Sequence, residues 1–310
     1  MRVFWYIVGI LGMILLVAGM HSFRVCAVRK PQMSPHELLA RRAKRWGLPP
    51  EALQGPVDWF LGQNPETLTV TAFDGIQLSG RWLPAEQSRG RVLMFHGHRS
   101  GGLEDFCTAL PFYHEQGLDI LLVDQRAHGE SGGKFIGMGV LERRDCLSWV
   151  EEINRRFGAD KPTILAGVSM GSTTVQLAAA EPLPDNVRGV VADCGFTSPW
   201  DITAYQMRRQ LHLPPFPLVH MTSGFCRLLV GYGHKDVSVP EALKTCRLPI
   251  LFLHGETDEF VPLEMVQRCY EGHGGEKQLY LVPNADHTAV MPMGGEGVRQ
   301  VIRAFLDKYL

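Results

Sequence analysis

The 310-residue sequence has almost no net charge, with 31 Lys and Arg against 32 Asp and Glu. Without a basic excess there is no electrostatic footprint for a nucleic-acid partner. The seven cysteines stand at 26, 107, 146, 194, 226, 246 and 269, with no C-x-x-C pair among them. An odd, scattered set argues against a disulfide framework and against a structural zinc site, and most of these thiols read as small buried hydrophobes. His96 and His98 flank Gly97, but too few companion ligands surround them for a metal site.

What is present begins with an uncharged run of eighteen residues, 3–20. It is long enough to cross a bilayer and longer than a typical signal core, and Trp5 and Tyr6 suit a membrane interface. No A-x-A cleavage site follows it, which favours an uncleaved anchor over residues 1–22 against a cleaved signal peptide or a buried core helix. Only Arg2 precedes the run, whereas Arg24, Arg29, Lys30, Arg41, Arg42, Lys44 and Arg45 follow it. Positive-inside counting therefore places the large domain on the cytoplasmic side, with a secreted or outward-facing domain as the alternative. Residues 23–66 read as a helical connector that folds onto the main domain. In it, Ser34-Pro35-His36-Glu37 forms a capping box with Pro at the first helical position, and the helix should stop near Trp46-Gly47. Its basic residues are placed either on anionic headgroups or on a solvated face.

From Thr67 onward the rhythm changes. Residues 67–83 alternate around Phe73-Asp74-Gly75 and predict a β-hairpin. Apolar strands are expected at 91–95, 120–124, 163–168, 187–193, 249–253 and 277–282. Helices are expected at 103–116, 139–157, 170–180, 263–271 and 297–310. This order predicts an α/β protein, with a mostly parallel sheet wrapped by helices over residues 67–310. Ligands in such sheets bind beyond the carboxyl ends of the strands. His96-Gly97-His98, Asp124-Gln125-Arg126, Ser169, Asp193 and the stretch 254–258 all fall at such ends.

Two stretches match G-x-S-x-G. The first, Gly129-Glu130-Ser131-Gly132-Gly133, continues as loop, with no helix opening at its serine. The second, Gly167-Val168-Ser169-Met170-Gly171, stands between a strand and a helix, which is the context of a strained nucleophile elbow. Ser169 is therefore the candidate nucleophile. A serine hydroxyl needs a base, and the base needs a third group to hold its tautomer. His287, past the strand at 277–282, and Asp258, past the strand at 249–253, supply both in the order Ser, Asp, His. Asp193 competes for the acid role. His96, His128 and His254 also lie in strand-end loops, where hydrogen bonding to loop backbone is the simpler role for each.

The motifs H-G at 96–97, G-V-S-M-G at 167–171, H-G-E-T-D-E-F-V-P at 254–262 and the histidine at 287 together resemble the α/β-hydrolase family. Within it the chain looks most like membrane-anchored bacterial hydrolases of the serine-aminopeptidase and lysophospholipase-like group. The resemblance implies Ser169 as nucleophile, Asp258 as orienting acid, His287 as general base, and an oxyanion hole made by the backbone N–H groups of Met170 and His98. It departs from the family at Ala127, where a glycine is usual. It also implies that the segment at about 195–240, rich in aromatics and proline, is a cap over the site. An apolar cap suits an acyl substrate, although many of these side chains must also bury themselves. The expected function is hydrolysis of a carboxylic ester, lipid or lysolipid-like, through an acyl-serine and without metal or organic cofactor. An aminopeptidase acting on small N-terminal residues, or a non-catalytic membrane-tethered binding protein, are the alternatives.

Overall fold

The computed structural model describes residues 1–31 and 33–310; Gln32, in the connector, lies outside the described residues. The chain opens with helices α1 (Arg2–Ala27), α2 (Pro35–Trp46) and α3 (Glu51–Gly62). The hairpin β1 (Glu66–Thr71) and β2 (Gln77–Leu83) follows, then β3 (Gly90–Phe95), α4 (Gly102–Asp105), α5 (Ala109–Glu115) and β4 (Leu118–Asp124). Next come α6 (Glu142–Phe157), β5 (Thr163–Val168), α7 (Met170–Ala179) and β6 (Val187–Asp193). The segment at 195–240 folds as α8 (Pro199–Leu211) and α9 (Leu218–Leu229), and α10 (Val239–Leu243) leads back to the sheet. The chain closes with β7 (Ile250–Gly255), α11 (Leu263–Gly272), β8 (Lys277–Val282) and α12 (Val290–Tyr309).

The strands form one sheet in the order β1-β2-β4-β3-β5-β6-β7-β8, parallel except where β2 meets β1 and β4. The interior strands β3, β4, β5 and β7 are buried along their whole length, as required when helices cover both faces. The two-residue period of a strand then divides its side chains between two cores. Val92 and Met94 join Leu39, Phe60, Tyr113 and Phe305 on one side. Leu93 and Phe95 join Trp149, Val175 and Val266 on the other. The connector belongs to the first core: Leu39 and Ala43 of α2, and Leu53, Val57 and Phe60 of α3, are all buried in it.

Several expected boundaries shift for identifiable reasons. The helix expected over 103–116 is two helices, because Pro111 has no N–H and clashes with the carbonyl four residues back in a continuous helix. Restarting at Ala109 puts that proline in the first turn of α5, where it is tolerated. The helix expected from 139 begins at Glu142, whose carboxylate accepts from the N–H groups of Gly137 (2.6 Å) and Gly139 (2.8 Å) in the preceding turn. The closing helix starts at Val290 rather than 297, but it is broken by a kink at Gly295 (φ 54°, ψ −140°), past which the expected helix runs. The first helix runs past residue 22 to Ala27, and its last turns are buried at Phe23 and Ala27.

The tightest approach in the fold is at the turn from β5 to α7. A Cβ on Gly171 would lie 1.7 Å from the Phe95 carbonyl oxygen, and one on Gly167 would lie 2.3 Å from the Gly171 oxygen. Gly171→Ala should therefore cost more than about 3 kcal/mol through overpacking that the strands cannot relax. Gly224→Ala, at a position in α9 with open space around it, should instead gain up to about 1 kcal/mol of helix propensity. Thermal melts in detergent check both, and equal melts for the two variants would refute the packing argument.

Candidate active site

The β5–α7 turn holds Ser169 at φ 54°, ψ −115°, a conformation that side chains rarely adopt. Its N–H is fixed by the Asp193 carbonyl at 2.9 Å, and the hydroxyl stands at the carboxyl edge of the sheet. His287, in the loop after β8, places Nε2 3.0 Å from Ser169 Oγ. Its Nδ1 lies 2.7 Å from Oδ2 of Asp258, in the loop after β7. The other Asp258 oxygen accepts from the N–H groups of Phe260 and Val261, both at 2.8 Å. Burial pushes the Asp258 pKa up, but His287, His254 and the Val261 N–H outweigh it and hold the carboxyl below its ordinary value. An ionised carboxylate can only accept, so Nδ1 of His287 carries the proton and Nε2 is left to accept from Ser169.

The competing candidates are placed elsewhere. Asp193 does not pair with His287. Its Oδ1 has no hydrogen-bond partner among the described residues, and burial, with Asp258 and Asp105 adding to it, pushes its pKa well above the ordinary carboxylate range. Ser131 accepts from the Ser79 N–H at 2.8 Å and donates to the Asp124 carbonyl at 2.5 Å, a structural bond inside its loop. His96 is held between the Gly97 carbonyl and the Gln125 N–H. His128 donates to the Arg126 carbonyl and accepts from the Arg99 N–H at 3.0 Å. His254 donates to the Val261 carbonyl at 3.0 Å. Ala127, the departure from the family pattern, sits at φ 60°, which explains why glycine is easier there.

The turn after β3 lies directly against the nucleophile: a Cβ on Gly97 would come 3.2 Å from Ser169 Cβ. Met170 is the first residue of α7, where an N–H has no intrahelical acceptor. Among the described residues, no hydrogen bond of the turn at 96–100 uses the His98 N–H. The one group of metal-ligand type found among the described residues, Cys194, Asp258 and His287, is the triad pair with a buried thiol whose pKa burial drives well up; a neutral thiol is a poor metal ligand.

A set of bracing contacts surrounds the site that the sequence does not pair. Asp105 accepts from the Gly97 N–H (2.5 Å), the Ser100 hydroxyl (2.8 Å) and Arg42 of α2 (2.5 Å). Arg45, one turn along, pairs with Asp286 at 2.5 Å beside His287. Those two arginines of α2 therefore face the loops of the site, Arg42 largely buried there and Arg45 still on the exposed side expected of it. The Arg99 guanidinium donates to the carbonyls of Arg24, Val25 and Val28, and the His98 ring nitrogen Nε2 donates to that of Cys26 at 2.8 Å. The cluster of basic residues on one predicted helix was the only trace of this in the sequence. Their acidic partners lie far along the chain.

Ser169 opens onto a cavity of about 860 Å³ whose lining is mostly apolar, with Met138, Phe196, Ile202 and Met207 near the serine. No carboxylate lines it among the described residues.

The profile of a family described as alpha/beta hydrolase fold matches residues 90–218, which takes in Ser169 and the turn at 96–100 but ends before Asp258 and His287. Human protein ABHD12B is 31% identical over 232 residues, 69% of this chain and 61% of that protein. A monoacylglycerol lipase of Mycolicibacterium smegmatis is 26% identical over 223 residues, 59% of this chain and 75% of the lipase. Among solved structures, the esterase Pf2001 of Pyrococcus furiosus superposes with a TM-score of 0.68 at 24% identity, covering 81% of this chain and 94% of the esterase.

Removing Asp105 while keeping Arg42 strands a buried guanidinium, so Asp105→Ala should cost on the order of 3–5 kcal/mol. Arg42→Met with Asp105→Leu should cost clearly less, because no charge is left uncompensated. Burial raises the Asp105 pKa, yet Arg42, His96 and the Gly97 and Ser100 donors bring it below its ordinary value. The carboxylate's contribution is thus fully present above the unfolded pKa and is lost as pH falls through the lower folded value. Urea melts read both effects; a single variant no worse than the double, or a difference that grows on acidification, would contradict this.

Proposed function

We propose, from the premise that the chain belongs to the α/β-hydrolase fold family, that it is a serine hydrolase cleaving a carboxylic ester with an apolar acyl group. The observation that carries the reading is the relay of 3.0 and 2.7 Å from Ser169 through His287 to an ionised Asp258, opening onto an apolar cavity. As Ser169 Oγ attacks the ester carbonyl, His287 Nε2 takes its proton, and Asp258 stabilises the imidazolium without becoming protonated. The N–H groups of Met170 and His98 donate to the oxyanion, each worth roughly 3–4 kcal/mol of barrier. His287 then protonates the departing alcohol. In the second half it deprotonates the water that releases the acid from the acyl-serine.

The esterase and lipase among the similar proteins support ester chemistry. An aminopeptidase would need an anion to hold the substrate ammonium, and the lining offers none. We place the protein at a membrane through α1, which is long and apolar enough to span one and whose first half is exposed all round. The basic residues that follow it put the hydrolase domain on the cytoplasmic side. Protease added outside intact cells should leave that domain uncut, and digestion would overturn the orientation.

A fluorophosphonate probe should label wild type and Ser131→Ala, and fail to label Ser169→Ala. Labelling of Ser169→Ala would remove Ser169 from the nucleophile role. Asp258→Asn should lower kcat on nitrophenyl octanoate by up to about 10⁴-fold, as loss of the orienting acid does in this type of triad. Asp193→Asn should change it far less, and the reverse order would move the acid to Asp193.

A further inference from the structure

The cavity below Ser169 is not enclosed by the hydrolase domain alone. Along α1, Met13, Ile14, Val17, Ala18, His21 and Ser22 all line it. These recur at the spacing of a single helix face. The facing wall comes from the segment at 195–240, through Met207 of α8 and Leu218 at the start of α9. From Met13 down to Cys26, which lines the end near Ser169, the wall runs roughly 20 Å at 1.5 Å per residue. Its upper end lies within the uncharged run, so the mouth of the cavity faces the hydrocarbon if α1 spans the bilayer.

This wall is held in place by specific contacts. Gly19 admits Met221 of α9 so closely that a Cβ there would lie 2.8 Å from Met221 Cβ. Thr222 Oγ1 donates to Ser22 Oγ at 2.7 Å, and Phe23 packs between Phe135 and Phe225. The carbonyls at the end of α1, which no helix can satisfy by itself, accept from Arg99 and His98. His98 is also the residue whose backbone N–H faces the oxyanion, so helix end and oxyanion turn form one unit.

We infer that α1 is a wall of the acyl-binding site as well as an anchor. The acyl chain of a membrane-borne ester enters sideways from the bilayer between α1 and the helices α8 and α9, and the side chains at 13, 14, 17 and 18 set the chain length accepted. This rests on the reading of Ser169 as nucleophile. A chain leaving lipid for this cavity gains little hydrophobic free energy, since lipid tails are as apolar as leucine. Selection among chains therefore comes from fit, and fit is controlled by the volume of these side chains.

The test uses the full-length protein in phosphatidylcholine vesicles, with nitrophenyl acetate, octanoate and palmitate. Val17→Trp should lower the palmitate-to-acetate ratio of kcat/KM about tenfold or more. Val17→Ala should shift the preference toward longer chains. Leu16→Trp, on the opposite face of α1 and outside the lining, should leave the ratio unchanged. A ratio that ignores both changes at Val17, or moves as far with Leu16→Trp, overturns the inference. A readout independent of turnover is photo-cross-linking of Ser169→Ala protein to vesicle phosphatidylcholine bearing a diazirine on its acyl chain. Cross-links are expected at Met13 to Ala18 and at Met207, and should be lost in Val17→Trp. Such cross-links in a wild type that hydrolyses no ester would retire the hydrolase reading and leave the acyl site standing. Hydrolysis without them would do the opposite.

Discussion

The contact on which the rest depends is the approach of Gly171 to the Phe95 carbonyl, with no room for a single methyl group between them. It presses the start of α7 against the end of β3 and forces the reversal at Ser169 that exposes the hydroxyl. Because β3 and β5 are parallel neighbours, the turn after β3 and the turn after β5 must emerge side by side. The next strands in the sheet, β6, β7 and β8, continue the same parallel run, so the loops carrying Asp258 and His287 open at that edge too. The convergence of the site is a consequence of strand direction, and the elbow fixes where along the edge it occurs.

That edge is strained. Ser169, Arg99, Ala127, Cys194 and Thr288 all have φ between 45° and 62°, each unfavourable for a residue with a Cβ. The compensation comes from outside the sheet. Arg42 reaches Asp105 and, through it, the Gly97 N–H; Arg45 reaches Asp286 next to His287; the His128 ring holds the Arg99 N–H. The exposed Arg45 pair is worth little on its own, whereas the Arg42 pair is buried and bonded on every side. Residues 35–46 thus matter to the site although they belong to no motif.

The sequence made the elbow, the triad and the strand order legible because each is written locally: a run of apolar residues, a glycine at a fixed offset, a polar residue where the run ends. Ser169 could be separated from Ser131 for the same reason, since a helix follows one and a loop the other. What escaped depends on distance or on backbone detail. Arg42 meets a partner 63 positions away and Arg45 one 241 away, and no periodicity on α2 points to either. The helix α3 was hidden by Pro56, which the burial of Leu53, Val57 and Phe60 overrides. The helical turn before Gly295 went unread, whereas the helix expected from 297 follows the non-helical Gly295 as the sequence suggested.

The same contacts bear on whether α1 is a removable leader. A signal segment is expendable once cleaved, so a folded domain should not depend on it. Here Phe23 and Ala27 are buried in a cluster with Val140, Cys226 and Tyr232, and Val28 bridges to Phe135. Cutting after the apolar run would open the cavity along one side and leave the end of α1 without the helix that orders it. The Arg99 guanidinium and the His98 ring would then lose the carbonyls they hold, and the turn at 96–100 beside Ser169 would lose a constraint. The last turns of α1 thus complete the core, the cavity and the turn at 96–100 together. The helix long and apolar enough to cross a membrane is therefore also the one that shapes the cavity at Ser169.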